Sequence, residues 1–311
     1  MKKIFTILLV FISIFVVGCG RNSNKTKYNI ISTSFPGYDF ARAVIKNVDD
    51  ISVEMLLKPG SETHDFEPTP QDIINIQNSD IFIYVGGDSD EWIDDVLKDI
   101  DTSKTKIIRL MDIVKLYEEE TVEGMEEDED EEEKEIEYDE HVWTSPINAI
   151  EIINKIKEEI VKLDSSNSNK YEENTNNYIS ELNEIDNEIR NIVNNSKRKE
   201  LVFGDRFPLR YFTEEYGLTY HAAFPGCSEQ SEASAKTISY LINYVKNNNI
   251  PVVFHIELSN GKIANTIANE ANTQVLEFNA VHNISKEDFD NGLTYIDYMK
   301  KNIEVLKIAL N

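Results

Sequence analysis

The chain carries five histidines, His64, His141, His221, His255 and His282. Neutral imidazole is the side chain most often used to hold a transition metal near neutral pH. The order of strand and helix signals puts four of the five just beyond strand ends. His64 follows the second expected strand, and His141 stands four residues before a helix cap at Ser145. His255 falls at the far end of the run Pro251–Leu258, and His282 follows the last expected strand. Ligands of open α/β sheets collect outside the carboxyl ends of the strands. Four imidazoles at equivalent places, two in each half of the chain, therefore point to one shared divalent metal. His221 sits inside an expected strand and reads as structural. Cys227 would suit zinc as a thiolate, although a lone cysteine more often serves as a small buried hydrophobe.

The elements that position these groups alternate. Short strands are expected at Asn29–Thr33, Ile51–Leu57, Ile81–Val85 and Lys106–Arg109, with helices at Tyr38–Lys46, Pro70–Asn78 and Glu91–Asp99 between them. Thr69-Pro70 and Ser145-Pro146 each pair a capping residue with a proline at the first helical position. From Ser145 onward Ile150, Ile153, Ile156, Ile160 and Leu163 keep helical spacing. After a polar break at Asp164–Lys170, so do Tyr178, Leu182, Ile185, Ile189 and Ile192. This helical stretch, 146–198, divides the chain into two α/β lobes, 28–145 and 199–311. In the second lobe strands are expected at Leu201–Phe203, Leu218–Ala222, Pro251–Leu258 and Gln274–Phe278. Strands alternating with helices imply parallel sheets covered on both faces. No Gly-rich phosphate loop, nucleophile elbow or His-Glu-x-x-His helix is visible, so no catalytic residue is assigned.

The 311 residues include 57 acidic and 31 basic side chains, for a net charge of −26. That balance argues against nucleic acid as a partner, since phosphate binding needs a basic surface. Residues 118–140 hold sixteen of the acids and one lysine. Such a block repels itself and stays solvated, so it reads as a loop insertion that ends on His141 and is able to gather cations beside it. At the N-terminus, Lys2 and Lys3 precede an apolar run from Ile4 to Val17 that is too short for a comfortable membrane span. Residues 1–18 read as a signal peptide ending Val16-Val17-Gly18-Cys19, a sequence that resembles a bacterial lipobox. Cys19 is then the lipidated residue and 19–27 a tether, which places the mature chain outside the cytoplasmic membrane on a lipid anchor. Cys227 is the one other cysteine, so no internal disulfide is expected.

Several segments resemble one known family. Pro59-Gly60-Ser61-Glu62-Thr63-His64-Asp65-Phe66-Glu67-Pro68-Thr69-Pro70 looks like the first metal-ligand loop of the zinc/manganese-type solute-binding proteins of bacterial ABC importers. Thr33-Ser34-Phe35-Pro36, Ser79-Asp80, Gly86-Gly87 with Glu91-Trp92, and Asp139-Glu140-His141-Val142-Trp143 fit the same template in order. The resemblance implies two α/β lobes joined by one long rigid helix, with the metal between them and His64 and His141 as ligands from the first lobe. It also implies a membrane permease as partner and a chain that acts as a monomer.

The second lobe departs from the family pattern. Tyr216-Gly217-Leu218 is present, but the segment before it reads Gly204-Asp205-Arg206-Phe207-Pro208, with Asp205 the nearest oxygen donor and no histidine. Asn279 falls where the family usually has an aspartate. The remaining candidates are His255, Glu257 and His282. Period-two geometry would put His255 and Glu257 on one strand face, one binding the ion and the other supporting it. The soft-ligand argument for zinc favours His255 and His282, with Glu257, Asp205 and Cys227 as alternates and Arg206 available to orient a carboxylate. The expected function is capture of Zn²⁺ for the permease, with no catalysis. Mn²⁺ or Fe²⁺ is the alternative if carboxylates replace the imidazoles. A surface adhesin, or a zinc hydrolase using Glu257 as base, is the more distant alternative.

Overall fold

The computed structural model describes residues 26–61, 66–125, 137–228 and 232–311. The expected signal peptide, Cys19 and His64 lie outside the described residues, as does the middle of the acidic segment. The first lobe is built on β1 (Tyr28–Ser32), β2 (Ile51–Met55), β3 (Ile81–Tyr84) and β4 (Lys106–Arg109). They form one parallel sheet in the order β2-β1-β3-β4. Every residue of β3, Ile-Phe-Ile-Tyr, is buried, as a parallel strand covered on both faces requires. Helices α1 (Phe35–Val44), α2 (Pro70–Gln77) and α3 (Trp92–Lys98) supply the crossovers. The predicted start of α2 is realised as a capping box. Thr69 Oγ1 accepts the Asp72 N–H, and the Asp72 carboxylate accepts the Thr69 N–H at 2.8 Å.

The second lobe repeats this topology without repeating the sequence. Strands β5 (Glu200–Val202) and β6 (Thr219–His221) pair in parallel, as do β7 (Val252–His255) and β8 (Gln274–Glu277). A parallel bridge between Phe203 and Phe254 joins the two pairs. The resulting order, β6-β5-β7-β8, is the order of the first lobe carried four strands along. Helices α6 (Arg210–Tyr216), α7 (Ala235–Asn248), α8 (Lys262–Ala271) and α9 (Lys286–Asp290) connect or flank these strands. The strand expected over Pro251–Leu258 is shorter, ending at His255. Three residues beyond the strand's end, Leu258 stands at φ 61°.

The linker has the two helical runs and the polar break that its spacing implies. It is a helical hairpin of α4 (Pro146–Leu163) and α5 (Ser168–Asn195), and the 28-residue α5 is the long helix between the lobes. The polar break does the folding. The buried Asp164 carboxylate accepts Asn167 Nδ2 at 2.7 Å and the Tyr171 hydroxyl at 2.7 Å, and also the Ser166 hydroxyl. Burial raises its pKa, but these donors outweigh burial and hold it down at about 2. The C-terminal helix α10 (Tyr295–Leu310) packs on α5, with Lys300–Glu181 and Lys307–Glu188 ion pairs along the seam. Asp39 on α1 fastens the bundle to the first lobe. Fully buried, it takes the Tyr178 hydroxyl of α5 at 2.7 Å and the Tyr295 N–H of α10 at 2.9 Å, and it pairs with Arg42. No helix among the described residues is long and apolar enough to cross a membrane.

Candidate metal centre

The carboxyl ends of the two sheets face each other across a cleft of ≈ 250 Å³ whose walls include Ser61, His141, Asp205, Arg206, Glu257 and His282. His141 and His282 come from different lobes, yet their rings meet edge to face with centroids 5.1 Å apart. Both pack on Trp143, at 5.5 Å and 4.8 Å. Trp143 is itself fixed, because its indole N–H donates to the Ala280 carbonyl at 2.8 Å and its own carbonyl accepts the Tyr295 hydroxyl at 2.8 Å.

His141 is 1% exposed. Its backbone N–H donates to Asp139 Oδ1 at 2.8 Å, and its Nδ1 lies 3.1 Å from the same oxygen. The carboxylate therefore fixes Nδ1 as the protonated nitrogen and leaves Nε2 as the donor for an ion. Burial alone would lower the pKa of this imidazole. Asp139, with Glu140 and Glu119 behind it, more than compensates and raises it.

His282 is aimed by its backbone. Glu257 accepts the Ala280 N–H at 2.6 Å and the His282 N–H at 3.0 Å. Between them Val281 sits at φ 62°, a left-handed conformation that a β-branched residue adopts only when its surroundings impose it. Burial pushes the Glu257 carboxyl up to about 7 despite these two donors. Glu140 is likewise pushed up to about 7 by burial, against the donation from Ser89 N–H. Both shifts mark carboxylates that a nearby cation would relieve.

The other expected residues sort by position. Asp205 lines the cleft; its Oδ1 accepts the Arg206 N–H at 2.9 Å, while its Oδ2 is buried without a hydrogen-bond partner. The Arg206 guanidinium donates to the Ser228 carbonyl at 3.2 Å. His255 is not brought to the other two imidazoles. As the last residue of β7, its Nδ1 donates to the Ile256 carbonyl at 2.9 Å, and its ring packs over Gly261, where a Cβ would stand 3.2 Å away. Because the strand stops there, period-two alternation does not relate His255 to Glu257. Cys227 is not among the residues that line the cleft, and burial, with Asp139, Glu119 and Glu140 nearby, pushes its thiol well up. Asn279 turns from the cleft to Asn302 of α10, which accepts its N–H at 2.8 Å. The His221 ring packs on that of Tyr244, 3.8 Å between centroids and tilted by 43°, outside the cleft wall.

The described residues just before His64 are hydrogen-bonded to the second lobe. Gly60 N–H donates to the Ile284 carbonyl at 2.7 Å, and Asn283 Nδ2 donates to the carbonyls of Lys58 and Ser61, both at 2.9 Å. Ser61 lines the cleft, and Phe66 lines a smaller cavity whose wall also contains His282. Sequence reasoning gave no role to Asp139, Glu140 or Trp143; their adjacency to His141 was the available signal.

Two parallel-sheet lobes that present donors to each other across a cleft define a two-lobed solute-binding protein. The chain belongs to the family described as zinc-uptake complex component A, periplasmic, whose pattern matches residues 30–309. It is 32% identical over 302 residues to the high-affinity zinc uptake system protein ZnuA of Bacillus subtilis, covering 95% of this chain and 93% of that one. It is 31% identical to the zinc-binding lipoprotein AdcA of Streptococcus pneumoniae over 99% of this chain, and it spans 61% of that longer relative. The crystal structure of the Zn(II)-bound ZnuA-like domain of AdcA superposes with a TM-score of 0.75 at 28% identity, covering 91% of this chain and 99% of that domain.

Proposed function

We propose that this chain is the extracytoplasmic, lipid-anchored component of an ABC importer, taking Zn²⁺ as its cargo and handing it to a membrane permease. The observation that carries this reading is the meeting of His141 and His282 from opposite lobes, 5.1 Å apart at a shared cleft. Among the described residues no three His, Cys, Asp or Glu side chains stand close enough to hold an ion by themselves. His64, three residues after Ser61 on the cleft wall, is the third donor in this proposal. Glu257 or Asp205, on the same cleft wall, is the fourth donor in this proposal in place of His255, reaching the ion only when binding draws the two lobes closer. Three imidazoles and one carboxylate suit tetrahedral zinc. Because each lobe supplies part of the set, the site is complete only while the lobes face each other. Release then follows when the permease moves them apart. The ion is bound and let go without reaction, so no catalytic role is assigned.

The two cleft carboxylates also favour a second reading, Mn²⁺, which prefers harder oxygen donors. A competitive titration of Zn²⁺ and Mn²⁺ against a calibrated chelator at pH 7, on the soluble domain beginning after Cys19, separates the two. One tight site preferring zinc supports the proposal. Preference for manganese overturns the metal, and weak multiple binding overturns the importer reading.

A further inference from the structure

The loop that carries His282 is pinned on both sides of that residue. Asn279 donates its N–H to Asn302 of α10 at 2.8 Å and accepts Asn302 Nδ2 at 2.7 Å. The Ala280 carbonyl accepts the Trp143 indole N–H, and Asn283 Nδ2 reaches the carbonyls of Lys58 and Ser61 in the first lobe. Between these pins Glu257 takes the N–H groups of Ala280 and His282, one on each carboxylate oxygen, at 2.6 and 3.0 Å. Val281, which stands between the two donors, is 1% exposed and has φ 62°. Two N–H groups converging on one anion across a left-handed residue form a backbone concavity that binds anions. Here the anion is the protein's own carboxylate, and it offsets the strain of a β-branched residue held left-handed. Asp205 differs. Its Oδ2 is buried without a hydrogen-bond partner on the wall of the same cleft, whereas both Glu257 oxygens are engaged.

We propose that Glu257 is a positioning residue for the metal centre and not a ligand. Its carboxylate holds the Ala280–His282 backbone in the left-handed turn that brings His282 to the cleft, and Asp205 is then the oxygen donor. Without the charge, nothing offsets the cost of Val281, and the loop relaxes toward ordinary backbone angles. A change in the sign of one φ redirects the residue that follows. The His282 imidazole then leaves its place beside Trp143 and His141, whose ring centroids lie 4.8 and 5.1 Å from its own. The inference rests on the reading of the cleft as a metal site and decides its choice between Glu257 and Asp205.

The test is a double-mutant cycle of Glu257→Gln and Val281→Gly, read as zinc affinity by chelator competition at pH 8. Glu257→Gln keeps the side chain's size but removes the charge and one acceptor, and affinity is expected to fall about 10- to 100-fold. Glycine adopts positive φ without strain. Adding Val281→Gly is therefore expected to recover most of that loss, a larger gain than it gives in the wild-type background. The d–d absorption bands of the Co²⁺-loaded protein are expected to follow, displaced by Glu257→Gln and returned toward the wild type by the second substitution. Asp205→Asn is expected to lose affinity that Val281→Gly does not restore. Unchanged affinity in Glu257→Gln overturns the proposal, as does an Asp205→Asn variant that loses none. A loss in Glu257→Gln that Val281→Gly leaves in place also overturns it, by making Glu257 a ligand. So does an equal gain from Val281→Gly in all three backgrounds. If Glu257→Gln does not fold, Glu257→Asp, which keeps the charge but withdraws it by one carbon, takes its place in the cycle with the same outcomes. Wild-type protein that binds no zinc tightly overturns the reading of the cleft, and the proposal with it.

Discussion

Asp139→Asn tests how the centre is set. In the wild type one buried oxygen, Asp139 Oδ1, accepts both the backbone N–H of His141 at 2.8 Å and its Nδ1–H at 3.1 Å. Asparagine keeps a carbonyl oxygen at that point, so the geometry survives and only the charge is lost. A hydrogen bond to a charged group is worth about 1.5–3 kcal/mol, against about 0.5–1.5 for a neutral one. The difference, about 1.4 kcal/mol, corresponds to roughly tenfold in zinc affinity at pH 8. A second effect has the opposite sign. Asp139 is the largest contributor raising the His141 pKa, so in the wild type protons compete strongly for the imidazole as pH falls. The substitution lowers that pKa and relieves the competition. Chelator-competition titrations at pH 8, 7 and 6 should therefore show two affinity curves that converge toward acid pH. Equal affinities at pH 8, or a tenfold gap that persists at pH 6, would refute this account of His141.

Metal-free protein should lose stability as pH rises from about 5 to 8. Glu140 and Glu257 each hold a proton up to about 7 in the folded chain against 4.5 for the free group, so the native state binds more protons in this window. Each contributes on the order of 3 kcal/mol, present below the unfolded pKa and gone above the folded one; urea titrations in about 0.5 M salt, which screens the surface charge, should show the midpoint falling, and a rising midpoint would refute the assignment. Deleting residues 126–136, which carry nine acidic side chains and one lysine, should leave the equilibrium zinc affinity at 0.15 M salt within about threefold while slowing association at low salt; stopped-flow mixing across ionic strengths checks it. Zinc should change the intrinsic fluorescence of Trp143, which touches both imidazole rings. Trp143→Phe should remove most of that response while leaving the Trp92 signal.

Much of this architecture could be read from local rules. The capping residues Thr69 and Ser145 each precede a proline and start helices where expected, since cap chemistry is set by four consecutive residues. The polar break after Leu163 was visible too, although its consequence, a hairpin closed by Asp164 and Tyr171, depends on a long-range fit. His141 and His282, which the structure brings to one cleft, stood out in the sequence because strand exits are topologically special. His255 shares that address but not the outcome. Pairing there stops at His255, and the sequence of an apolar run does not say where pairing stops. The roles of Asp139 and Glu140 were hidden for a related reason. Within a stretch holding sixteen acids, composition cannot tell the few that fold inward from those that stay in water.

The most direct test of the central claim is the zinc K-edge X-ray absorption spectrum of protein loaded with one equivalent of Zn²⁺. The account predicts a shell of nitrogen and oxygen donors at about 2.0–2.1 Å, with multiple-scattering features of three imidazoles and no sulfur. A sulfur contribution at about 2.3 Å would bring Cys227 into the site and contradict the ligand set. A shell of oxygen alone would place the ion on the acidic segment and contradict the shared His141–His282 centre itself.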